Sequence, residues 1–169
     1  MLPNNYLFKF VIILFQIHGF LSNKILIWER WNNRKLICME TRFEYNFRFT
    51  QEDVLRFAEA TGDKNPIHLD EEYASKNIFG KRIMHGFLGG SVFSRIFGTM
   101  FPGEGTIYLK QDMKFIAPMF VDTSYKAIIE IKEVIPEKSR AIAETSIAND
   151  KGEIAIKGEA LIQHSCFGQ

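Results

Sequence analysis

The chain has 169 residues, of which 46% are hydrophobic and 24% are charged, a balance typical of one folded domain with a substantial core. Its formal net charge is +1, and no basic stripe of the kind that binds phosphate backbones occurs, so we exclude nucleic acid as a partner. Cys38 and Cys166 lack the spacing of a zinc site or a redox pair, which favours a reducing compartment.

Residues 1–38 are predicted to be an N-terminal extension, separate from a domain at residues 39–169. The segment at residues 6–21 is strongly apolar, but polar side chains interrupt it, and it falls short of the ~20 residues of a membrane-spanning helix. No small-residue cleavage site follows it. Three interpretations stay open: a membrane anchor, a targeting segment, or a mis-called start with Met39 as the true first residue. We expect a cytoplasmic protein unless the extension directs it to an organelle or a membrane.

The domain opens with a strand and a helix. From Arg42 onward polar residues alternate with aromatic ones, which predicts a half-buried strand whose aromatic face comprises Phe43, Tyr45, Phe47 and Phe49. Thr50 then offers an N-cap, and residues 51–61 place apolar side chains at helical spacing behind two acidic residues in the first turn. This helix is expected to deliver the chain to a loop that starts at Gly62.

The run from Thr61 to His68 holds the most informative pair of residues in the chain. Asp63 and His68 cannot lie on one face of a continuous helix, because Pro66 disfavours a helical conformation in the residue before it. A tight loop is therefore expected to hold them. A carboxylate and an imidazole directed at one point suit proton transfer to and from a single bound water. Taken alone, Asp63 could equally be a turn residue and His68 a packed core histidine.

The remainder of the chain predicts a buried helix followed by a sheet. Residues 70–76 suggest a short polar helix and residues 77–82 a turn, whereas residues 86–101 are apolar on nearly every side, as in a helix that runs through a core. Alternating apolar and polar residues between turn signals then predict strands at about residues 106–115, 123–135, 140–148 and 153–163. We therefore expect an α+β domain with a curved antiparallel sheet wrapped around the long buried helix.

In this order and at this spacing, the motifs resemble those of the MaoC-like hydratases, specifically the single-domain (R)-specific enoyl-CoA hydratases. The resemblance covers about Phe47 to Ile162 and rests on Phe57-Ala58-x-x-Thr61-Gly62-Asp63-x-Asn65-Pro66-Ile67-His68, Arg82-Ile83-Met84-His85-Gly86, Ser91-Val92-Phe93-Ser94 and Gly105-Thr106-Ile107-Tyr108-Leu109. It implies a hot-dog fold, a homodimer, and reversible addition of water to trans-2-enoyl-CoA to give (R)-3-hydroxyacyl-CoA. It also implies that neither an organic cofactor nor a metal takes part.

The same resemblance implies roles for five residues. Asp63 and His68 are expected to be the catalytic pair, Gly86 to donate its backbone N–H to the thioester oxygen, and Ser94 and Asn65 to contact the substrate. Elementary chemistry agrees for Gly86, because adding water to a double bond conjugated with a thioester places negative charge on the thioester oxygen. A helix start offers free N–H groups and the positive end of the helix dipole to that charge.

Roles are also expected for His85 and for three apolar residues of the buried helix. His85 is expected to be structural and to hold the loop in place. Phe97, Met100 and Phe101 are candidates for the far end of an acyl pocket. The family commonly has glycine where this chain has Asp122, which alters a surface turn and leaves the catalytic motif intact.

Alternatives to the hydratase stay open. A dehydratase of the same fold could act on a 3-hydroxyacyl-carrier-protein or on a specialised acyl-CoA. A thioesterase is disfavoured, because it needs water to attack the carbonyl and the loop matches the hydratase pattern. A non-catalytic acyl-CoA-binding module is the alternative from another class, and the intact pair of Asp63 and His68 argues against it.

Overall fold

The structure is a computed structural model that describes residues 40–168, so the predicted extension lies outside the described residues. Its elements in chain order are β1 (Arg42–Phe47), α1 (Gln51–Thr61), α2 (Pro66–Leu69), α3 (Glu71–Ser75), α4 (Gly86–Thr99), β2 (Ile107–Phe115), β3 (Tyr125–Ile135), β4 (Arg140–Asn149) and β5 (Ile154–Gln163). Short 3₁₀ turns cover Pro136–Lys138 and Ser165–Gly168. The predicted strands and helices are confirmed, with ends that move by one or two residues.

The five strands form one antiparallel sheet in the order β1-β3-β4-β5-β2. Strand β4 lies at its centre and alternates half-buried with buried residues, as the period of two in its sequence predicts. The buried side chains of β4 include Ala141, Ala143, Thr145 and Ile147, each with 0% exposure. This face of the sheet therefore forms the core, and the α+β prediction is confirmed.

Helix α4 packs against the sheet with one side and leaves the other side open in the single chain. Its buried residues recur at helical spacing and are Leu88, Gly89, Gly90, Val92, Phe93, Ile96 and Phe97. The packing is tight, since a Cβ on Gly89 would lie 2.8 Å from Met119 Sδ. Ser94 and Arg95 lie on the opposite, exposed side. The expectation of a helix buried on nearly every side is therefore corrected, because the sheet covers only one side.

Helix α1 begins at a side-chain cap and ends at a glycine. Thr50 Oγ1 accepts the N–H of Asp53 at 3.3 Å, and Asp53 Oδ2 accepts the N–H of Thr50 at 2.8 Å, which completes a capping box. Gly62 ends the helix at φ +78°, a left-handed conformation that glycine adopts without steric cost. The chain consequently turns out of the helix directly before Asp63.

The turn before β3 places Asp122 in the left-handed region. Asp122 has φ +56°, and its N–H donates to the carbonyl of Phe49 at 2.8 Å. Aspartate tolerates the left-handed region better than most residues with a Cβ. Asp122 therefore makes a backbone turn that glycine would make without steric cost.

The structure bears on the expected compartment through one cysteine and through the lengths of the helices. Cys166 lies in the last 3₁₀ turn and is disulfide-bonded, which does not fit the reducing compartment expected from the cysteine spacing. Among residues 40–168, no helix combines the length and the apolar character needed to cross a membrane. The cytoplasmic location and the three interpretations of residues 1–38 stay predictions.

Candidate active site

Two hydrogen-bonded turns shape the loop that follows α1. Asp63 Oδ1 accepts the N–H of Asn65 at 3.3 Å, and Asn65 Oδ1 accepts the N–H of Ile67 at 3.2 Å. The second bond caps α2, an element that the sequence predictions omitted. Pro66 at its first position, with asparagine before it, is a start signal that could have revealed it. Asn65 therefore fixes the loop through its own side chain.

Backbone contacts with the segment before α4 hold His68 in place. The N–H of Ile83 donates to the carbonyl of Ile67 at 3.3 Å, and His68 Nδ1 lies 2.9 Å from the carbonyl of Ile83. Because a carbonyl oxygen only accepts, we assign the proton of the neutral imidazole to Nδ1. His68 Nε2 then carries a lone pair. The ring can therefore accept a proton or a hydrogen bond at Nε2.

His85 joins the loop to the start of α4. Its ring is buried, with 3% exposure, and its Nε2 lies 2.9 Å from the backbone carbonyl of Asp63. The centroid of its ring is 3.9 Å from that of His68 and 5.0 Å from that of Phe57. The expectation that His85 holds the loop is confirmed by this hydrogen bond. No pattern in the sequence indicates that the two imidazole rings lie against each other.

The surroundings of His68 keep its imidazole neutral. Burial lowers the pKa of His68 below its ordinary value of 6.5, and the adjacent His85 lowers it further. The hydrogen bond with the Ile83 carbonyl and the nearby carboxylate of Asp63 act in the opposite direction, but the net shift is downward. At neutral pH His68 is therefore a base rather than an acid.

The carboxylate and the imidazole lie close enough to share one water. One carboxylate oxygen of Asp63, one ring nitrogen of His68 and one of His85 all lie within 4.8 Å of one another. A water that makes hydrogen bonds of about 2.7–2.8 Å can bridge two atoms roughly 5 Å apart. The Asp63 side chain is 53% exposed, so solvent reaches it directly. The structure thus brings the predicted pair together at one accessible point.

A cleft of about 320 Å³ lies beside this point and has largely apolar walls. His68 and Gly86 line it, together with the side chains of Phe87, Phe115 and Met119. Gly86 is the first residue of α4, so the helix itself cannot satisfy its N–H. A Cβ at Gly86 would lie 2.7 Å from Phe115 Cε1, so a side chain there would collide with the cleft wall.

The other predicted site residues lie outside this cleft. Asn65 is exposed, and its side-chain oxygen is occupied by the cap of α2. Ser94 is exposed on α4, eight residues after Gly86, which corresponds to about 12 Å along a helix axis. Phe97 and Phe101 are both 1% exposed in the core. No signal in the sequence pointed to the cleft residues Phe115 and Met119, because strands and loops distant in the chain supply them.

Among the described residues, the side chains of this cluster could also hold a metal ion. Asp63, His68 and His85 each offer one ligand atom within 4.8 Å of the others. Zinc bonds to nitrogen and oxygen of about 2.0–2.2 Å place tetrahedral ligand atoms about 3.4 Å apart. Asp63 Oδ2 lies 3.9 Å from His85 Nε2, and a spacing of up to 4.8 Å also accommodates a bridging water.

The chain is similar to known proteins in sequence and in structure. The family model described as MaoC like domain matches residues 32–151. A 3-hydroxybutyryl-CoA dehydratase of Methylorubrum extorquens is 42% identical over 112 residues, which cover 66% of this chain and 70% of that protein. An (R)-specific enoyl-CoA hydratase of Aeromonas caviae is 37% identical over 116 residues, which cover 69% of this chain and 87% of that protein. The solved (R)-hydratase from A. caviae involved in PHA biosynthesis superposes with a TM-score of 0.70 at 35% identity, covering 72% of this chain and 92% of that chain.

The fold and the relatives together define a class of enzyme. An antiparallel sheet packed on one long helix is the hot-dog fold of these structural neighbours. The similar proteins are hydratases and dehydratases, enzymes that add or remove water. The chain belongs to the MaoC-like family and is a hydro-lyase of the hydratase or dehydratase type.

Proposed function

We propose that the protein is an (R)-specific enoyl-CoA hydratase that reversibly adds water to trans-2-enoyl-CoA. The observation that carries the proposal is the position of Asp63 and His68 within reach of one water, beside a cleft that also contains the start of α4. The A. caviae relative has this activity in its name. The proposed partner is therefore an acyl-CoA thioester, whose acyl part occupies the apolar cleft.

In the proposed reaction, Asp63 and His68 hold the attacking water. His68 Nε2 has a lone pair, since Nδ1 donates to the Ile83 carbonyl, and the Asp63 carboxylate supplies the second acceptor. The oxygen of water bonds to C3 as one of its O–H bonds breaks, and the released proton passes to the Asp63 and His68 pair. The pair returns one proton to C2. The net change is the addition of one hydroxyl and one hydrogen across the double bond.

Gly86 is proposed to stabilise the charge that develops during this addition. As the hydroxyl adds to C3, electron density moves through the conjugated system to the thioester oxygen. The unsatisfied N–H of Gly86 and the positive end of the α4 dipole face that oxygen in the proposed pose. Groups of this kind contribute roughly 10²–10³ in kcat. The site therefore has three points of contact: two for water and one for the thioester.

Hydration of crotonyl-CoA, followed as loss of the enoyl absorbance, tests the proposal. The expected product is (R)-3-hydroxybutyryl-CoA, and a matching reaction of crotonyl attached to carrier protein should be slower. Faster turnover of the carrier-protein substrate would replace the proposal with the carrier-protein dehydratase. Binding of the CoA thioester without any turnover would replace it with the binding module.

The second candidate function is an enzyme that is specific for a four-carbon substrate at the same site. The M. extorquens relative is named as a 3-hydroxybutyryl-CoA dehydratase and has the higher identity of the two. Rates on enoyl-CoA of increasing chain length separate this assignment from a broader one. A steep fall beyond four carbons would support the short-chain enzyme, whereas similar rates on longer chains would reject it.

We infer that the working form is a homodimer joined along strand β2. β2 is an edge strand of the sheet, so one row of its backbone N–H and carbonyl groups has no partner strand among residues 40–168. Among the described residues, Ile107, Leu109 and Phe115 of this strand are exposed apolar side chains, which favours a second copy as the occupant of this edge. A second copy there would also cover the cleft wall at Phe115.

The dimer is tested by light scattering after size exclusion. Leu109→Lys should shift the protein toward the monomer, because it places a charge on the edge that is paired in the dimer. Val134→Lys is the matched control, since Val134 on β3 has 44% exposure and Leu109 has 41%. A monomeric wild-type protein, or equal effects of both substitutions, would contradict the proposed interface.

A further inference from the structure

His85 is next to all three residues that the proposed reaction uses, but it does not line the cleft. Its Nε2 is 2.9 Å from the backbone carbonyl of Asp63, and its ring lies 3.9 Å from the ring of His68. It directly precedes Gly86 in the chain, so one peptide bond links it to the proposed N–H donor. Its own side chain is 2% exposed and lies outside the lining of the cleft.

We propose that His85 is the positioning residue of the site, which holds Asp63 and His68 in register with the N–H of Gly86. This inference rests on the proposed function, because it assigns a role within that reaction. His85 does not touch the substrate and is therefore not a catalytic residue. Its action is geometric, through one hydrogen bond and one ring contact.

The loop needs such an anchor because little else fixes Asp63. The Asp63 side chain is half exposed, and the other hydrogen bonds of this residue, from the N–H of Asn65 and to Thr61 Oγ1, reach only two residues along the chain. The hydrogen bond from His85 connects the Asp63 backbone to α4, 22 residues further along the chain. A misplacement of about 1 Å can cost about 10²-fold in rate, so a fixed distance between loop and helix matters for the reaction.

The side chain of His85 contributes nothing to the cap of its own helix. His85 is the N-cap of α4, yet its side chain makes no capping hydrogen bond. Ser, Thr, Asp or Asn would serve helix stability better at this position. His85 Nδ1 is also buried without a hydrogen-bond partner among the described residues. These features favour a role in the site over a role in helix stability.

The contact between His85 and His68 also affects the pKa of His68. The titratable groups that influence His68 are Asp63 from the loop and His85 from the start of α4, while the neutral amide of Gln51 in α1 donates to the His68 carbonyl. His85 lowers the pKa of His68. Its removal should therefore raise that pKa toward 6.5 as well as loosen the loop.

His85→Phe is the informative variant, because it keeps a ring between Phe57 and His68 and removes the donor. We expect kcat for crotonyl-CoA hydration to fall by about 10²-fold, with KM changed by less than about threefold. His85→Gln should recover part of the loss, because its amide Nε2 can donate in place of the imidazole Nε2.

The matched control is His164→Phe. His164 is 8% exposed, and its Nε2 lies 3.1 Å from the Glu104 carbonyl, outside the cleft lining. That control should lower Tm and leave kcat unchanged.

An NMR titration of His68 supplies a readout that does not depend on turnover. The pKa of His68 should be higher in His85→Phe than in the wild type, and unchanged in His164→Phe. A wild type that hydrates crotonyl-CoA while His85→Phe retains kcat within about twofold would overturn the positioning role alone. Equal losses in His85→Phe and His85→Gln that follow a fall in Tm would also overturn it. A wild type without hydratase activity would overturn the proposed function itself.

Discussion

Two polar clusters of this protein differ in how completely their hydrogen bonds are satisfied. The sheet cluster consists of Tyr108, Gln111 and Thr145. The Tyr108 hydroxyl donates to Gln111 Oε1, and the Gln111 amide donates to Thr145 Oγ1 at 2.9 Å and to the Asp112 carbonyl at 2.6 Å. Burial raises the pKa of the Tyr108 hydroxyl, which therefore stays protonated and keeps donating. The members of this cluster satisfy one another.

The loop cluster consists of Asp63, His68 and His85 and has bonding capacity left over. His68 uses Nδ1 and His85 uses Nε2 for backbone carbonyls, which leaves the lone pair on His68 Nε2 available. The Asp63 carboxylate is half exposed next to it. Buried polar groups that are satisfied stabilise a fold, whereas groups with free capacity beside a cleft can bind and react. The difference predicts that mutations in the loop cluster change activity and mutations in the sheet cluster change stability.

The largest expected effect is the loss of activity in Asp63→Asn. An amide retains the size of the carboxylate but is a far weaker proton acceptor, so kcat for crotonyl-CoA hydration should fall by about 10²–10⁴-fold. Asp150→Asn, in the exposed turn between β4 and β5, is the matched control and should retain full activity. Thermal unfolding should show the same Tm for all three proteins. Undiminished activity in Asp63→Asn would remove Asp63 from the site.

The next effect concerns the start of α4. Gly86→Ala should lower kcat/KM by about 10²-fold, because its Cβ would meet the ring of Phe115 at 2.7 Å and displace the N–H donor. Gly98→Ala is the control in the same helix, where a Cβ meets no atom within 4 Å. That control should raise the free energy of unfolding by about 0.5–1 kcal/mol and leave the rate unchanged. Equal rates for both variants would exclude Gly86 from the site.

In the sheet cluster, Thr145→Val tests stability. Thr145 is 0% exposed, and the substitution removes the oxygen that accepts from Gln111. The free energy of unfolding should fall by about 1–3 kcal/mol in a denaturant titration. Activity per folded molecule at low temperature should stay the same. A large drop in kcat with unchanged stability would break the distinction between the two clusters.

The smallest effect is a dependence on pH. Because the pKa of His68 is below 6.5 in the folded protein, the unfolded state binds more protons as the pH falls below 6.5. The contribution of His68 to stability is thus fully present above 6.5 and is lost as the pH falls through the folded pKa. The rate should show its acid limb in the same range.

Unfolding of His68→Gln measures this contribution. The variant should lose less stability than the wild type between pH 6.5 and about pH 5, because its amide does not titrate in that range. Identical pH dependence in the two proteins, or an acid limb of the rate above pH 6.5, would contradict a neutral His68.

Sequence patterns predicted the fold well because its signals are local. The alternation in β4 and the capping residue Thr50 give the elements directly, and β3, β4 and β5, which follow one another in the chain, pair as antiparallel neighbours. The pairing of β1 with β3 and of β2 with β5 is not local. The pair of Asp63 and His68 was predicted because both lie in one short loop. The approach of His85 to that loop and of Phe115 to Gly86 depends on packing between distant segments, which no local pattern encodes.

The exposed side of α4 shows a second limit of sequence reasoning. Apolar residues and glycines on nearly every side of the helix predicted complete burial, but the chain covers only the side that carries Phe93 and Phe97. Composition shows that a surface is apolar and does not show whether the same chain or a second copy covers it. The position of Ser94 on the open side follows from the same limit.

Hydration of crotonyl-CoA in oxygen-labelled water tests the central claim most directly. If Asp63 and His68 direct water to C3 while Gly86 receives the charge on the thioester oxygen, the product is (R)-3-hydroxybutyryl-CoA with the label on C3, and Asp63→Asn forms almost none of it. Label in a released carboxylate would instead show attack at the thioester carbonyl. That result, or a product of (S) configuration, would contradict the proposed site.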